Sequence, residues 1–287
     1  MKKFSIIAAS LVATCIMGAS FASAQTARGV YLMSSGTLGP FSIRVLIPSF
    51  PEDQDRDITI PIMMAVIDHP KGLVVYDSGN NIAVSDGGCK SYWAEGMCDL
   101  LQPSQTRADV IDMQLKKLGY KISDVKAYVM SHAHLDHAGN LKMFENAIIF
   151  AQQDEIYQAR WQAPFQAGPA FVDADHAGTN AFNWAPLNGD YDVFGDGSVV
   201  VMDTRGHTLG TSSVYVKLKS GPLVVAGDAI WMEENLEGYP AGLNFSVQQY
   251  FASIDRLKLI RDLQGAELVM GHSANQYSSG LYNKWIR

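Results

Sequence analysis

Positive charge is in short supply: lysine and arginine total 22 against 29 acidic residues, a formal net charge of -7. A polyanionic partner such as nucleic acid is therefore disfavoured. Long apolar runs are also scarce. After residue 24 no stretch approaches the roughly 20 apolar residues a spanning helix needs, which excludes a membrane span from the rest of the chain. No internal repeat or low-complexity tract stands out. Cysteine is rare, with three in 287 residues, and Cys15 falls in the first apolar run.

That first run reads as a leader. Met1-Lys2-Lys3 is a basic start, Phe4 to Met17 carries no charge, and Ala22-Ser23-Ala24 supplies a small-x-small cleavage pattern. The run is too short to anchor the chain, and Thr14 before Cys15 is unusual for a lipidated cysteine. Residues 1-24 are thus expected to be a signal peptide, with the mature chain, residues 25-287, periplasmic or secreted. Losing Lys2 and Lys3 moves the net charge to -9. The remaining length suits one large α/β domain. Cys89 and Cys98 survive processing, nine positions apart beside Asp86-Gly87-Gly88. In an oxidising compartment they either close a local disulfide or stay a pair of free thiols. They lie outside every cluster of chemical interest, and no catalytic role falls to them.

Several β-branched and apolar runs end at a reactive side chain. Ile58 to Ile67 and Leu73 to Tyr76 flank the turn cluster His69-Pro70-Lys71-Gly72 and read as a hairpin that leads into Asp77-Ser78-Gly79. Strands are expected over Val125 to Met130, Ala147 to Ala151, Val199 to Met202, Ser213 to Leu218, Leu223 to Ala226 and Leu268 to Met270. Ala138 to Asn146, Asp154 to Trp161 and Gln248 to Leu263 have helical character, the last with Phe251, Ile254, Leu257 and Ile260 on one face. Gln162 to Asp190, with Pro164, Pro169 and Pro186, reads as a long loop that carries Phe165, Phe171, Phe182 and Trp184, the kind that builds a lid or binding wall. Strands alternating with helices, with polar residues just past strand ends, describe an α/β layered fold with its site at one sheet edge.

The chemistry concentrates in His132-Ala133-His134-Leu135-Asp136-His137, where three of the seven histidines and one carboxylate fall within six residues. Imidazole nitrogen and carboxylate oxygen suit zinc and its neighbours. His207, Asp228 and His272 each follow a glycine close to a strand. Taken singly, each is better read as a structural histidine or a capping aspartate. Alongside the first motif they complete a ligand set.

This pattern, H-x-H-x-D-H with its three later partners and Asp77-Ser78-Gly79, resembles the metallo-β-lactamase superfamily over most of the mature chain. The resemblance implies an αβ/βα four-layer sandwich in a single domain and a two-metal centre. His132, His134 and His207 would hold one metal, Asp136, His137 and His272 the other, and Asp228 would bridge. Zinc is the default, and manganese, iron or cobalt also suit the ligands. Two metals about 3.5–4 Å apart can acidify a shared water towards a pKa of about 7, and Asp136 is the residue implied to move the proton.

A carboxylate at Asp228 is similar to lactonases, glyoxalase II, phosphodiesterases and organophosphate hydrolases, whereas true β-lactamases usually carry Cys or Ser there. Only 15 residues follow His272, too few for the extra domain of glyoxalase II. Export and acidity disfavour a tRNA-processing nuclease. The chain then looks most like the N-acyl-homoserine lactonases, with which Tyr31 to Gly39 and the aromatic loop also agree, and the expected substrate is a small amphipathic ester or lactone. The lactonases commonly place Tyr three residues after the bridging Asp. Here that position is Trp231, read either as a substrate contact or as a packing aromatic. The runner-up is an organophosphate hydrolase, and a non-enzymatic metal-binding protein is the reading from another class. A homodimer is an assembly the sequence leaves open.

Overall fold

A computed structural model describes residues 25–160, 168 and 170–287. The expected leader lies outside them, as do Pro164, Phe165 and Pro169 of the long loop. One sheet takes β1 (Gly29–Ser42), β2 (Asp57–His69), β3 (Gly72–Tyr76), β4 (Val125–Val129), β5 (Ile148–Gln152) and β6 (Trp184–Leu187). A second takes β7 (Tyr191–Asp192), β8 (Val199–Asp203), β9 (Ser212–Leu218), β10 (Gly221–Gly227) and β11 (Glu267–Met270), and β12 (Trp285–Ile286) returns to the first. The orders are β12-β1-β2-β3-β4-β5-β6 and β11-β10-β9-β8-β7. Antiparallel pairing of β1, β2 and β3 gives way to parallel pairing from β3 to β6.

The helices are α1 (Met97–Leu101), α2 (Ile111–Lys117), α3 (Gln153–Arg160), α4 (Asp173–His176), α5 (Glu233–Leu236), α6 (Val247–Gln264) and α7 (Ala274–Ser278). Strand periodicity sends alternate side chains to opposite faces, and so each sheet is apolar on both sides. Leu32, Ala65, Val74 and Val129 meet Val201, Val214, Val225 and Val269 in a core between the sheets. Beyond the first sheet, Met64, Val66 and Tyr128 pack on Ile111 and Leu115 of α2. Beyond the second, Val224 and Leu268 pack on Tyr250, Ile254 and Leu257 of α6. The result is a four-layer helix–sheet–sheet–helix sandwich, the expected fold. No helix among the described residues is long and apolar enough to cross a membrane.

The β2–β3 hairpin forms with His69 opposite Gly72. Two expected elements differ. Ala138 to Asn146 is not a helix but one 3₁₀ turn over Leu141–Phe144. Its start is pinned by tertiary bonds that a continuing helix would break: the Gly139 amide donates to Gly79 at 3.0 Å, and Asn140 Nδ2 donates to Ser78 O at 2.9 Å. The stretch from Gln162 to Asp190 is not all loop. Its second half folds into α4 and the edge strand β6, because β5 has a free edge to which Trp184–Leu187 adds in parallel.

Candidate metal centre

All seven ligand candidates converge at one end of the sandwich, where strand ends release side chains into the space between sheets. The β4 end delivers His132 to His137, the loop between β8 and β9 delivers His207, β10 delivers Asp228, and β11 delivers His272. Two glycines make room. A side chain on Gly206 would come within 2.2 Å of the Tyr250 backbone, and one on Gly271 within 2.6 Å of Asp228 Oδ1. Both positions therefore require the bare backbone.

The arrangement divides around Asp228. Its Oδ2 lies 3.3 Å from His207 Nε2 and 3.7 Å from His132 Nε2. Its Oδ1 lies 3.2 Å from His137 Nε2 and 3.3 Å from His272 Nε2. His134 Nδ1 is 3.1 Å from His132 Nε2 and 3.0 Å from His207 Nε2. Asp136 Oδ2 is 3.7 Å from both His137 Nε2 and His272 Nε2. One group is thus His132, His134 and His207, the other Asp136, His137 and His272, and one carboxylate faces both.

On three of the histidines the outward nitrogen is occupied, which fixes the inward one. His137 Nδ1 donates to Asp77 Oδ2 at 2.8 Å, His272 Nδ1 to Pro61 O at 2.9 Å, and His207 Nδ1 to Leu243 O. Each then presents a bare Nε2 when neutral. Among the described residues, His137 Nε2 and Asp228 Oδ1 are buried without a hydrogen-bond partner, a costly state for polar atoms unless something is bound. Burial holds His132 and His134 well below the usual imidazole range. Burial also opposes charge on His137, but Asp228, Asp136 and Asp77 outweigh it and raise that imidazole to about 10. Asp228 is buried too, yet His137 and His272 keep its carboxyl well below the carboxylate range. Converging imidazoles with positive charge drawn to the carboxylates fit divalent cations, which would replace those protons.

Nothing in the local sequence singles out Glu155. This fully buried carboxylate accepts from the Ala133 amide with Oε1, and from the Thr208 hydroxyl and the Gly210 amide with Oε2. Ala133 sits between His132 and His134, and Thr208 follows His207. From the other side His176 Nε2 lies 3.2 Å from Ala133 O.

Trp231 is 6% exposed and stands edge-on to His207 and His272, with ring centroids 5.1 and 5.9 Å away. Its indole N–H has no partner among the described residues. A cavity of about 310 Å³ runs outward from Asp136, Asp228, Trp231 and His272 between Leu46, Ile60, Met97, Leu101 and Leu243. Of the loop aromatics, Phe171 meets His134 edge-on with ring centroids 4.7 Å apart. Phe182 and Trp184 pack against the outer core of the first sheet instead, and Arg160 of α3 lies over the Trp184 ring. Cys89 and Cys98 form a disulfide.

A family model described as the metallo-beta-lactamase superfamily matches residues 60–272, which takes in all seven ligand candidates. The chain is 32% identical over 262 residues to the N-acyl homoserine lactonase AttM of Azorhizobium caulinodans, covering 87% of this chain and 95% of that one. It is 25% identical over 225 residues to the N-acyl homoserine lactonase AiiA of Bacillus thuringiensis subsp. kurstaki, covering 77% of this chain and 85% of that one. Among solved structures, an N-acyl homoserine lactone hydrolase with the product N-hexanoyl-L-homoserine at its catalytic metal centre matches with a TM-score of 0.77. That match has 21% identity and covers 91% of this chain and all of that one, a likeness of fold.

Proposed function

The chain belongs to the metallo-β-lactamase superfamily, and on that premise we propose that it is a metal-dependent hydrolase that opens the lactone ring of N-acyl-homoserine lactones or similar small esters. The observation that carries the reading is the junction of a seven-residue ligand set, split by the two oxygens of Asp228, with an apolar cavity. The two lactonase relatives support the choice of substrate class.

His132, His134 and His207 would hold one cation, Asp136, His137 and His272 the other, with Asp228 shared. Two bound cations, zinc by default, supply Lewis acidity at the ester carbonyl and acidify water. Asp136 lies against the cavity, where its carboxylate can take the proton of the attacking water and return it to the departing ring oxygen. Water adds across one C–O bond, and the lactone becomes a hydroxy acid. The Trp231 ring lines the same cavity, and its buried indole N–H, without a partner among the described residues, is a donor available to a substrate oxygen. The apolar walls suit an acyl tail, and longer tails are expected to react better. The leader pattern supports action outside the cytoplasm.

One purified sample offered homoserine lactones, plain lactones, β-lactams and phosphotriesters in a pH-indicator assay tests the reading. Acid release from acyl-homoserine lactones is expected. Turnover of a phosphotriester with none of any lactone overturns the assignment.

A further inference from the structure

Helix α1 has five residues between Gly96 and Gln102, both left-handed at φ 80° and 46°. A helix this short cannot persist in water unaided, and its position is set by its attachments. Gln102 Nε2 donates to Pro40 O at 2.8 Å, and Cys98 is bonded to Cys89. Cys89 is 5% exposed and packs in the same buried cluster as Phe41 and Trp93. The disulfide therefore ties the helix to the core.

From that position α1 turns Met97, Leu100 and Leu101 towards the cavity that ends at the metal centre. Leu100 is 47% exposed, and on the same rim so are Val45 at 37% and Leu243 at 48%. Half-open apolar side chains beside a polar centre mark a ligand surface, one that only a tail long enough to leave the metals can cover.

We propose that the Cys89–Cys98 disulfide is a specificity-determining element: it fixes α1 as the distal wall of the cavity and so selects for long acyl tails. This rests on the acyl-ester reading above. A disulfide that only stabilised the fold would affect short and long substrates alike. A tether that fixes a wall affects the long ones, since each buried methylene is worth up to about fourfold in binding.

The test compares oxidised wild type with the Cys89→Ser/Cys98→Ser double variant in kcat/KM for N-decanoyl- and N-butanoyl-homoserine lactone. The decanoyl-to-butanoyl ratio is expected to fall about tenfold, the loss of roughly two buried methylenes. An unchanged ratio in the folded variant overturns the proposal. Leu100→Ser, which keeps the disulfide, carries the same expectation where the double variant fails to fold. Calorimetry of decanoate and butanoate with the metal-loaded protein separates this proposal from the activity itself. If wild type opens no homoserine lactone, the reading above fails. A decanoate preference that the double variant loses still supports the wall, and a preference that is absent or persists in the variant overturns it.

Discussion

Glu155 holds the amide of Ala133 at 2.8 Å, and through its other oxygen it holds Thr208 and Gly210. One buried carboxylate thus joins the two loops that carry His132, His134 and His207. Glu155→Gln cannot satisfy this arrangement. With its oxygen on Thr208 and Gly210, its NH₂ confronts the Ala133 N–H, and an unmet buried donor costs about 1–3 kcal/mol. The thermal midpoint should fall, and the three-histidine group should lose metal before the other. Metal titration of the variant checks this, and two unaltered binding steps would contradict it.

Asp77 accepts the Ser131 amide at 2.8 Å, the Ser131 hydroxyl at 2.7 Å and His137 Nδ1 at 2.8 Å, while its own backbone sits at φ 58°. Asp77→Asn tolerates that backbone but removes the charge that orients His137. Metal affinity or activity should fall about 10–100-fold, the usual effect of losing such a partner. A chelator competition measures the affinity, and a wild-type constant would refute the role.

The Asp175 carboxyl is pushed up to about 7 by burial, against the donors Tyr92 Oη at 2.6 Å and Asn81 Nδ2 at 2.9 Å. An unfolded aspartate titrates near 3.9. Between those values the folded chain keeps a proton that the unfolded chain has released, so this group's contribution to stability falls as pH rises from about 4 to about 7. Asp175→Asn imitates the protonated acid. Its thermal midpoint relative to wild type should therefore improve between pH 5 and pH 8, and an equal difference at both would refute the assignment.

Trp231→Phe keeps an aromatic ring between His207 and His272 and removes the N–H. If the indole donates to substrate, kcat/KM on short-chain lactones should drop by about tenfold, the worth of one hydrogen bond of about 1 kcal/mol or slightly more. The midpoint should hardly move. A lower midpoint with wild-type kinetics would make Trp231 a packing residue.

The site was legible in the sequence to an unusual degree because His132 to His137 are contiguous. The other ligands, His207, Asp228 and His272, each stand after a glycine where the backbone has no room for a side chain. The walls were not legible. Val45, Leu243 and the α1 residues Met97 and Leu100 come from three separate segments, and nothing local marks a leucine as facing a cavity. Phe182 and Trp184 show the converse: aromatic residues in an apparent loop are taken up by the outer core of the first sheet. Glu155 escaped because its partners are backbone amides and a hydroxyl on distant loops, which carry no side-chain signature. Ala138 to Asn146 reads as a helix from its sequence yet forms only the turn Leu141–Phe144, because the bonds that pin its start, to Ser78 and Gly79, are tertiary.

The most direct test of the account is to follow N-hexanoyl-L-homoserine lactone by mass spectrometry with enzyme of measured metal content. Metal-replete protein should bind two equivalents per chain and convert the lactone to a product heavier by one water. Stripped protein should do neither until metal is restored. A chain that holds two equivalents and leaves the lactone intact, or that opens it equally well with its metals removed, would contradict it.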